Sequence, residues 1–235
     1  MRLLIAAIML LCLCAGPVPA TAGEVWTITS LDWPPHSGPD LPDQGTAIAA
    51  LRRILAAEGI ELRVVFLPWA RAKLEAGNGD NAGYYPAWVE EVTPGFAASP
   101  PIVFSRIGVM ARTRSVRFAD LRELFARHTV GLVKTYAYPE AVARLAAEFP
   151  RHAVWVPDER ALARMLFHGR FETAITDPEV LAHTAREENL GGAVVLLEME
   201  RKALVLALRD DELGRARLEL LRRLLNGDVA PAPEP

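Results

Sequence analysis

Between Val25 and Leu225, short apolar runs rich in β-branched residues alternate with stretches whose apolar residues recur at helical spacing. This alternation constrains the fold more than any motif does. Val25–Thr29 reads as a strand ended by Trp33-Pro34-Pro35. From Thr46 to Glu58, Ile48, Leu51, Ile54 and Leu55 lie on one helical face, and Gly59 stops the helix. Leu62–Leu67 is a strand, Pro68-Trp69 leads into a short helix over Ala70–Glu75, and Ala82–Tyr85 is a third strand. An extended run, Val103–Ala111, precedes a helical segment over Phe118–Phe125 and a strand over Thr129–Val133. Helices over Glu140–Glu148, Glu159–Phe167 and Glu179–Glu187 then alternate with strands over Ala153–Val156 and Thr173–Thr176. Two strands, Val194–Leu197 and Ala203–Leu208, and a leucine-rich helix over Asp211–Leu225 close the pattern. Such alternation predicts α/β layers with mostly parallel sheets. Two runs of it meeting near residues 112–118 predict two lobes. In such sheets ligands lie beyond the carboxyl ends of the strands, so residues just after each strand carry the functional interest.

The N-terminus adds a location. Arg2 precedes an apolar run, Leu3–Ala15, broken by Gly16-Pro17 and Pro19 and followed by Ala20-Thr21-Ala22. This is the pattern of a secretory signal peptide cleaved near Ala22, and the run is short for a retained membrane anchor. Cys12 and Cys14 both follow leucine rather than the small residue a lipid-attachment site prefers. Cleavage of 22 of the 235 residues leaves 213 without cysteine, which excludes a disulfide, a thiolate nucleophile or a cysteine metal site. That exported chain carries 25 Lys+Arg against 29 Asp+Glu, a net of −4, which argues against a nucleic-acid partner. No H-E-x-x-H, G-x-S-x-G or P-loop is present, and His36, His128, His152, His168 and His183 lack ligand spacing. No cofactor or metal is therefore expected. Of the histidines only His36, beside Trp33, is placed near a cleft. The tail from 227 to 235, rich in Pro and Ala, is expected to be disordered.

Several landmarks in order resemble the family 3 extracellular solute-binding proteins, the type II periplasmic binding fold of polar amino-acid uptake. They are Trp33-Pro34-Pro35, Pro68-Trp69-Ala70-Arg71-Ala72, Ala98-Ser99-Pro100-Pro101-Ile102 and Phe118-x-Asp120-Leu121. Val130–Tyr138, Leu166-x-x-Gly169-Arg170-Phe171-Glu172 and Ile175-Thr176-Asp177 complete the set. The resemblance implies a two-lobed α/β fold with an interlobe cleft. Lobe one is residues 23–112 plus about 198–226, and lobe two is 113–197. It implies a monomer in the periplasm that closes on a small polar ligand and works with an ABC permease or another membrane protein, without catalysis.

The same resemblance supplies site residues. Trp33 and Trp69 follow lobe-one strands, where family aromatics stack on ligand; both could equally be packing residues. Tyr84 and Tyr85 end the third strand, and Tyr85 matches a hydroxyl-bearing ligand contact. Trp88 follows and either joins this wall or packs under the sheet. Lys134-Thr135-Tyr136, at a strand end opening toward a helix, suits an anion, although Lys134 reads equally as a solvated lysine. Asp177 matches the aspartate that accepts from a ligand α-ammonium, and Asp177-Pro178-Glu179 is also good helix-capping chemistry.

One departure matters. Amino-acid binders carry an arginine after the third strand that grips the ligand carboxylate, whereas this chain reads Pro86-Ala87-Trp88-Val89-Glu90-Glu91-Val92. Arg71 or Arg106 is the available substitute. Without one, acids and aromatic walls suit a cationic or amine-bearing ligand. Two other readings stay open. One is a stand-alone sensor or accessory protein. The other is a dehydratase on the same fold, with Glu90, Glu91 or Glu172 as its acid.

Overall fold

Residues 23–227 are described in a computed structural model of the protein; the expected signal segment and the tail from 228 onward lie outside the described residues. The first half contains β1 (Val25–Ser30), α1 (Thr46–Ala56), β2 (Glu61–Phe66), α2 (Trp69–Glu75) and β3 (Asn81–Trp88). The short β4 (Phe96–Ala98) and the long β5 (Val103–Ala111) follow. The second half alternates α3 (Leu121–Arg127), β6 (Val130–Val133), α4 (Glu140–Glu148), β7 (Ala153–Val156), α5 (Glu159–Phe167), β8 (Thr173–Thr176) and α6 (Pro178–Glu187). β9 (Val194–Arg209) and α7 (Glu212–Gly227) end the fold.

One nine-stranded sheet runs in the order β2-β1-β3-β9-β5-β8-β6-β7, with β4 beside β9. Its two wings, β2-β1-β3 and β8-β6-β7, are each internally parallel. The antiparallel strands β9 and β5 join them. β5 pairs with β9 along its whole length and meets β8 only from Gly108 onward, so the chain passes between wings within these two strands. The wings are the two lobes of the α/β fold read from the sequence.

Helical faces follow the sequence. On α1, Ile48, Leu51 and Leu55 are fully buried against Trp26 and Ile28 of β1. Each such side chain contributes about 1.5–3 kcal/mol of burial. Asp120, Asp158 and Asp177 cap α3, α5 and α6 by accepting backbone N–H bonds. The Asp158 and Asp177 caps place their helix starts just beyond β7 and β8. Gly83 lets β3 approach β9, since a Cβ there would lie 1.9 Å from the Ala207 carbonyl oxygen.

Several boundaries depart from expectation. The two strands expected over 194–208 are one, because the charged run Glu198–Lys202 is not a turn but mostly exposed strand paired to β5. β3 continues past Tyr85 to Trp88, and Pro86, which has no N–H to donate, falls where its pairing with β9 shifts register. The helix expected from Phe118 starts at Leu121, since Asp120 is its cap. β4 was not anticipated: three residues carry too little pattern to read. The last helix runs to Gly227, into the stretch assigned to the tail.

Candidate ligand-binding cleft

Carboxyl ends of strands from both wings converge on a cleft of about 620 Å³. That size lies within the range of small-molecule sites. The loop after β1 supplies Asp32, Trp33 and Pro34, and the end of β2 with its loop supplies Phe66–Ala70. From the opposite wing, Thr135 and Tyr136 follow β6, and Pro157–Arg160 follow β7. Behind them Trp33, Trp69, Trp88, Tyr136 and Glu91 enclose a recess of about 10 Å³, room for one water.

The aromatic wall is held edge to face. Trp33 lies 6.0 Å from Trp88 and 6.3 Å from Tyr136 between ring centroids, and Trp88 lies 5.1 Å from Tyr136. Each indole N–H has a fixed acceptor: Trp33 donates to the Tyr136 hydroxyl (2.6 Å), Trp69 to Glu91 Oε1 (3.0 Å) and Trp88 to Ser105 Oγ (2.9 Å). Behind Trp88 the buried Lys202 ammonium sits 4.9 Å from the ring centroid and pairs with Glu90 at 3.0 Å.

Polar side-chain contacts cross between the lobes. Trp33 of lobe one reaches Tyr136 of lobe two, whose hydroxyl donates to Glu159 Oε1 at 2.5 Å. His36 Nε2 lies 3.2 Å from Asp177 Oδ2, both residues buried. Asp177 is otherwise occupied as well. Its Oδ1 accepts from the Glu179 and Val180 N–H groups, and its Oδ2 from the Arg106 N–H.

The charges of the cleft are mostly acidic. Asp32, Asp158 and Glu159 line it, with Glu91 in the recess. Its lining arginine, Arg160, is paired with Glu188 at 3.3 Å. Burial, with Glu187 nearby, lifts the Asp32 carboxyl above its usual range. Burial also raises Glu91, against the pull of the Trp69 and Trp88 N–H bonds. Glu159 is pushed up to about 7, chiefly by burial, while the Thr176 and Tyr136 hydroxyls hold it down and Asp177 and Asp158 push it further up. Among the described residues no group of His, Cys, Asp or Glu side chains is placed to hold a metal.

The residues singled out in the sequence separate into three sets. Trp33, Trp69, Thr135 and Tyr136 line the cleft. Tyr84, Tyr85 and Asp177 are fully buried. Tyr84 donates to the Glu91 carbonyl at 2.9 Å, and the Tyr85 hydroxyl has no partner. Arg71 and Lys134 are exposed outside the lining, and Arg71 reaches back to Glu75 at 3.6 Å. Arg106, the other candidate substitute for the carboxylate clamp, is paired with Glu179 at 2.9 Å and Glu198 at 3.7 Å. Glu159 was not anticipated as a site residue. Its signal was present, since it directly follows the Asp158 cap at the carboxyl end of β7.

This arrangement is the two-lobed fold of the type II periplasmic binding proteins. Solved structures share it. A histidine kinase sensor domain with similarity to periplasmic binding proteins matches with a TM-score of 0.72 at 19% identity, over 87% of this chain and 92% of that one. An ancestral arginine-binding protein bound to arginine matches with a TM-score of 0.71 at 14% identity, over 87% and 92%. The periplasmic VFT2 domain of Bordetella pertussis BvgS matches with a TM-score of 0.69 at 16% identity, over 86% and 87%. No protein-family profile matches the sequence, and neither does any curated relative.

Proposed function

We propose that this chain is a monomeric periplasmic binding protein whose lobes close on a small polar solute, amino-acid-like or amine-bearing, for delivery to an ABC-type permease. The observation that carries this reading is the cleft of about 620 Å³ between the wings, walled by aromatics and lined by more acid than base. Among the described residues no free arginine lines it: Arg160 is paired with Glu188, and Arg71 and Arg106 pair with carboxylates outside the lining. That shortage weighs against a carboxylate-only ligand. It weighs equally against a dehydratase, which needs a carboxylate clamp. The structural likeness to kinase sensor domains favours one second reading, in which the closed state signals to a membrane partner instead of releasing cargo.

The test is a thermal-shift panel of amino acids, amines, betaines, sugars and oxyanions against the purified protein. A ligand of the folded state raises the melting temperature in proportion to the logarithm of its concentration over Kd. The expected result is a concentration-dependent rise with one chemical class that disappears in Trp69→Ala. A folded protein that responds to nothing overturns the reading.

A further inference from the structure

Among the described residues three buried side-chain polar atoms have no partner: the Tyr85 hydroxyl, Arg217 Nε and Glu159 Oε2. Of the three residues only Glu159 lines the cleft. Its other oxygen, Oε1, is doubly bound, accepting from both the Tyr136 and Thr176 hydroxyls. These bonds fix the carboxyl group while leaving Oε2 empty. An unpartnered buried carboxylate oxygen is destabilising, and that penalty is removed when something donates to it.

Asp177 cannot serve in its place without dismantling the fold around it. Its two oxygens already accept from three backbone N–H groups, and the His36 ring occupies the remaining approach.

We infer that Glu159, rather than Asp177, is the carboxylate that receives the ligand, and that the group it receives is a primary ammonium or guanidinium. The inference rests on the cleft being a solute site, and it names the ligand class. An N–H cation completes Oε2 with a charge-assisted bond while its carbon stem lies along the Trp33 and Tyr136 rings. Asp32 and Asp158 add negative potential at the same cleft, and Arg160, the one cation lining it among the described residues, is held by Glu188. An anion meets this wall unfavourably. The raised Glu159 carboxyl fits the assignment, because a bound cation returns it to the ionised form.

The test is calorimetric titration of the full chain at pH 8 with four probes. Agmatine and butylamine are cations without a carboxylate, arginine carries both charges, and butanoate carries a carboxylate alone. The expected result is that the carboxylate-free cations bind, butanoate does not, and Glu159→Gln weakens the cations by about 10- to 100-fold, the loss of one charge-assisted bond. Melting curves of Glu159→Gln at pH 5 check that the variant folds. Tyr136→Phe, which removes one of the two donors to Oε1 without touching Oε2, is expected to weaken binding by less. Cation binding by Glu159→Gln within threefold of the parent, or preference for butanoate, overturns the inference while leaving solute binding intact. Loss in Asp177→Ala alone overturns it too. A parent protein that binds no solute in the wider panel removes both readings.

Discussion

Glu91, buried, and Glu159, half-buried with a buried Oε2, are cleft carboxylates from opposite lobes, and their surroundings treat them differently. Glu91 has a donor on each oxygen: the Trp69 indole at 3.0 Å on Oε1 and the Trp88 backbone N–H at 3.1 Å on Oε2. It is a strut that fixes Trp69 and Trp88. Glu159 has two hydroxyl donors on one oxygen and nothing on the other. Burial raises both above the ordinary carboxylate range, so burial does not separate them. Satisfaction does. A group whose hydrogen bonds close within the chain is architecture, whereas a buried, unpartnered oxygen on a residue that lines the cleft fits a role toward what binds there.

The largest expected effect is on the strut. Glu91→Ala orphans two buried N–H donors at about 1–3 kcal/mol each, offset by relief of the buried carboxyl. A net loss of about 2–4 kcal/mol lowers the melting temperature by roughly 5–10 °C for a chain of this size. Binding weakens in step, because Trp69 and Trp88 lose their anchor. A melting temperature unchanged within 2 °C, on the order of 1 kcal/mol, would sink the distinction between the two carboxylates.

The next effect has the opposite sign. Folding raises the Glu159 carboxyl from 4.5 to about 7, so between these values the folded state holds more protons than the unfolded one. Stability from this group is therefore full below pH 4.5 and is lost as pH rises through 7. The residue keeps some exposure, so the swing is set at about 1–3 kcal/mol rather than the full shift. Glu159→Gln, which stays neutral, should match the parent near pH 4.5 and exceed its stability at pH 8 by that amount in urea melts. A variant that stabilises the protein while weakening amine binding marks a residue held for function at a cost in stability. A parent stability that is flat across this range would remove the electrostatic part of the argument.

Much of this frame was legible in the sequence, and what escaped shares one cause. The strand–helix alternation locates Trp33, Trp69 and Tyr136, because a residue just after a strand in an α/β sheet has few places to go. Asp177 also follows a strand, and sequence alone left its capping and ligand roles side by side. Only coordinates show that its oxygens are taken by Arg106 and His36, which lie 71 and 141 residues away in the chain. Tyr84 and Tyr85 carry no mark that separates a cleft wall from a core, since large aromatics serve both. Glu159 hid in an ordinary position, the acidic first turn of a capped helix, where charge is favourable on dipole grounds alone. Partner counting across lobes is a three-dimensional property, and it is the property that divides the site from its scaffold.

The smallest expected effect concerns cations. Arg71, one candidate substitute for the carboxylate clamp, and Lys134, a candidate anion contact or solvated lysine, are both exposed outside the lining. Arg71 and Glu75 form a single i,i+4 pair on α2, worth about 0.3–0.5 kcal/mol at most. Arg71→Ala and Lys134→Ala should each move stability by less than about 0.5 kcal/mol. Calorimetry should find amine affinity within about twofold of the parent, or slightly tighter through the weak long-range loss of one positive charge. The direction decides more than the size. A cation that gripped a carboxylate would give a large loss on removal, about tenfold or more for one charged contact. A large loss in either variant would put a carboxylate back on the ligand and a basic residue at the mouth. The unpartnered oxygen of Glu159 would then belong to a zwitterion's ammonium rather than to a free amine.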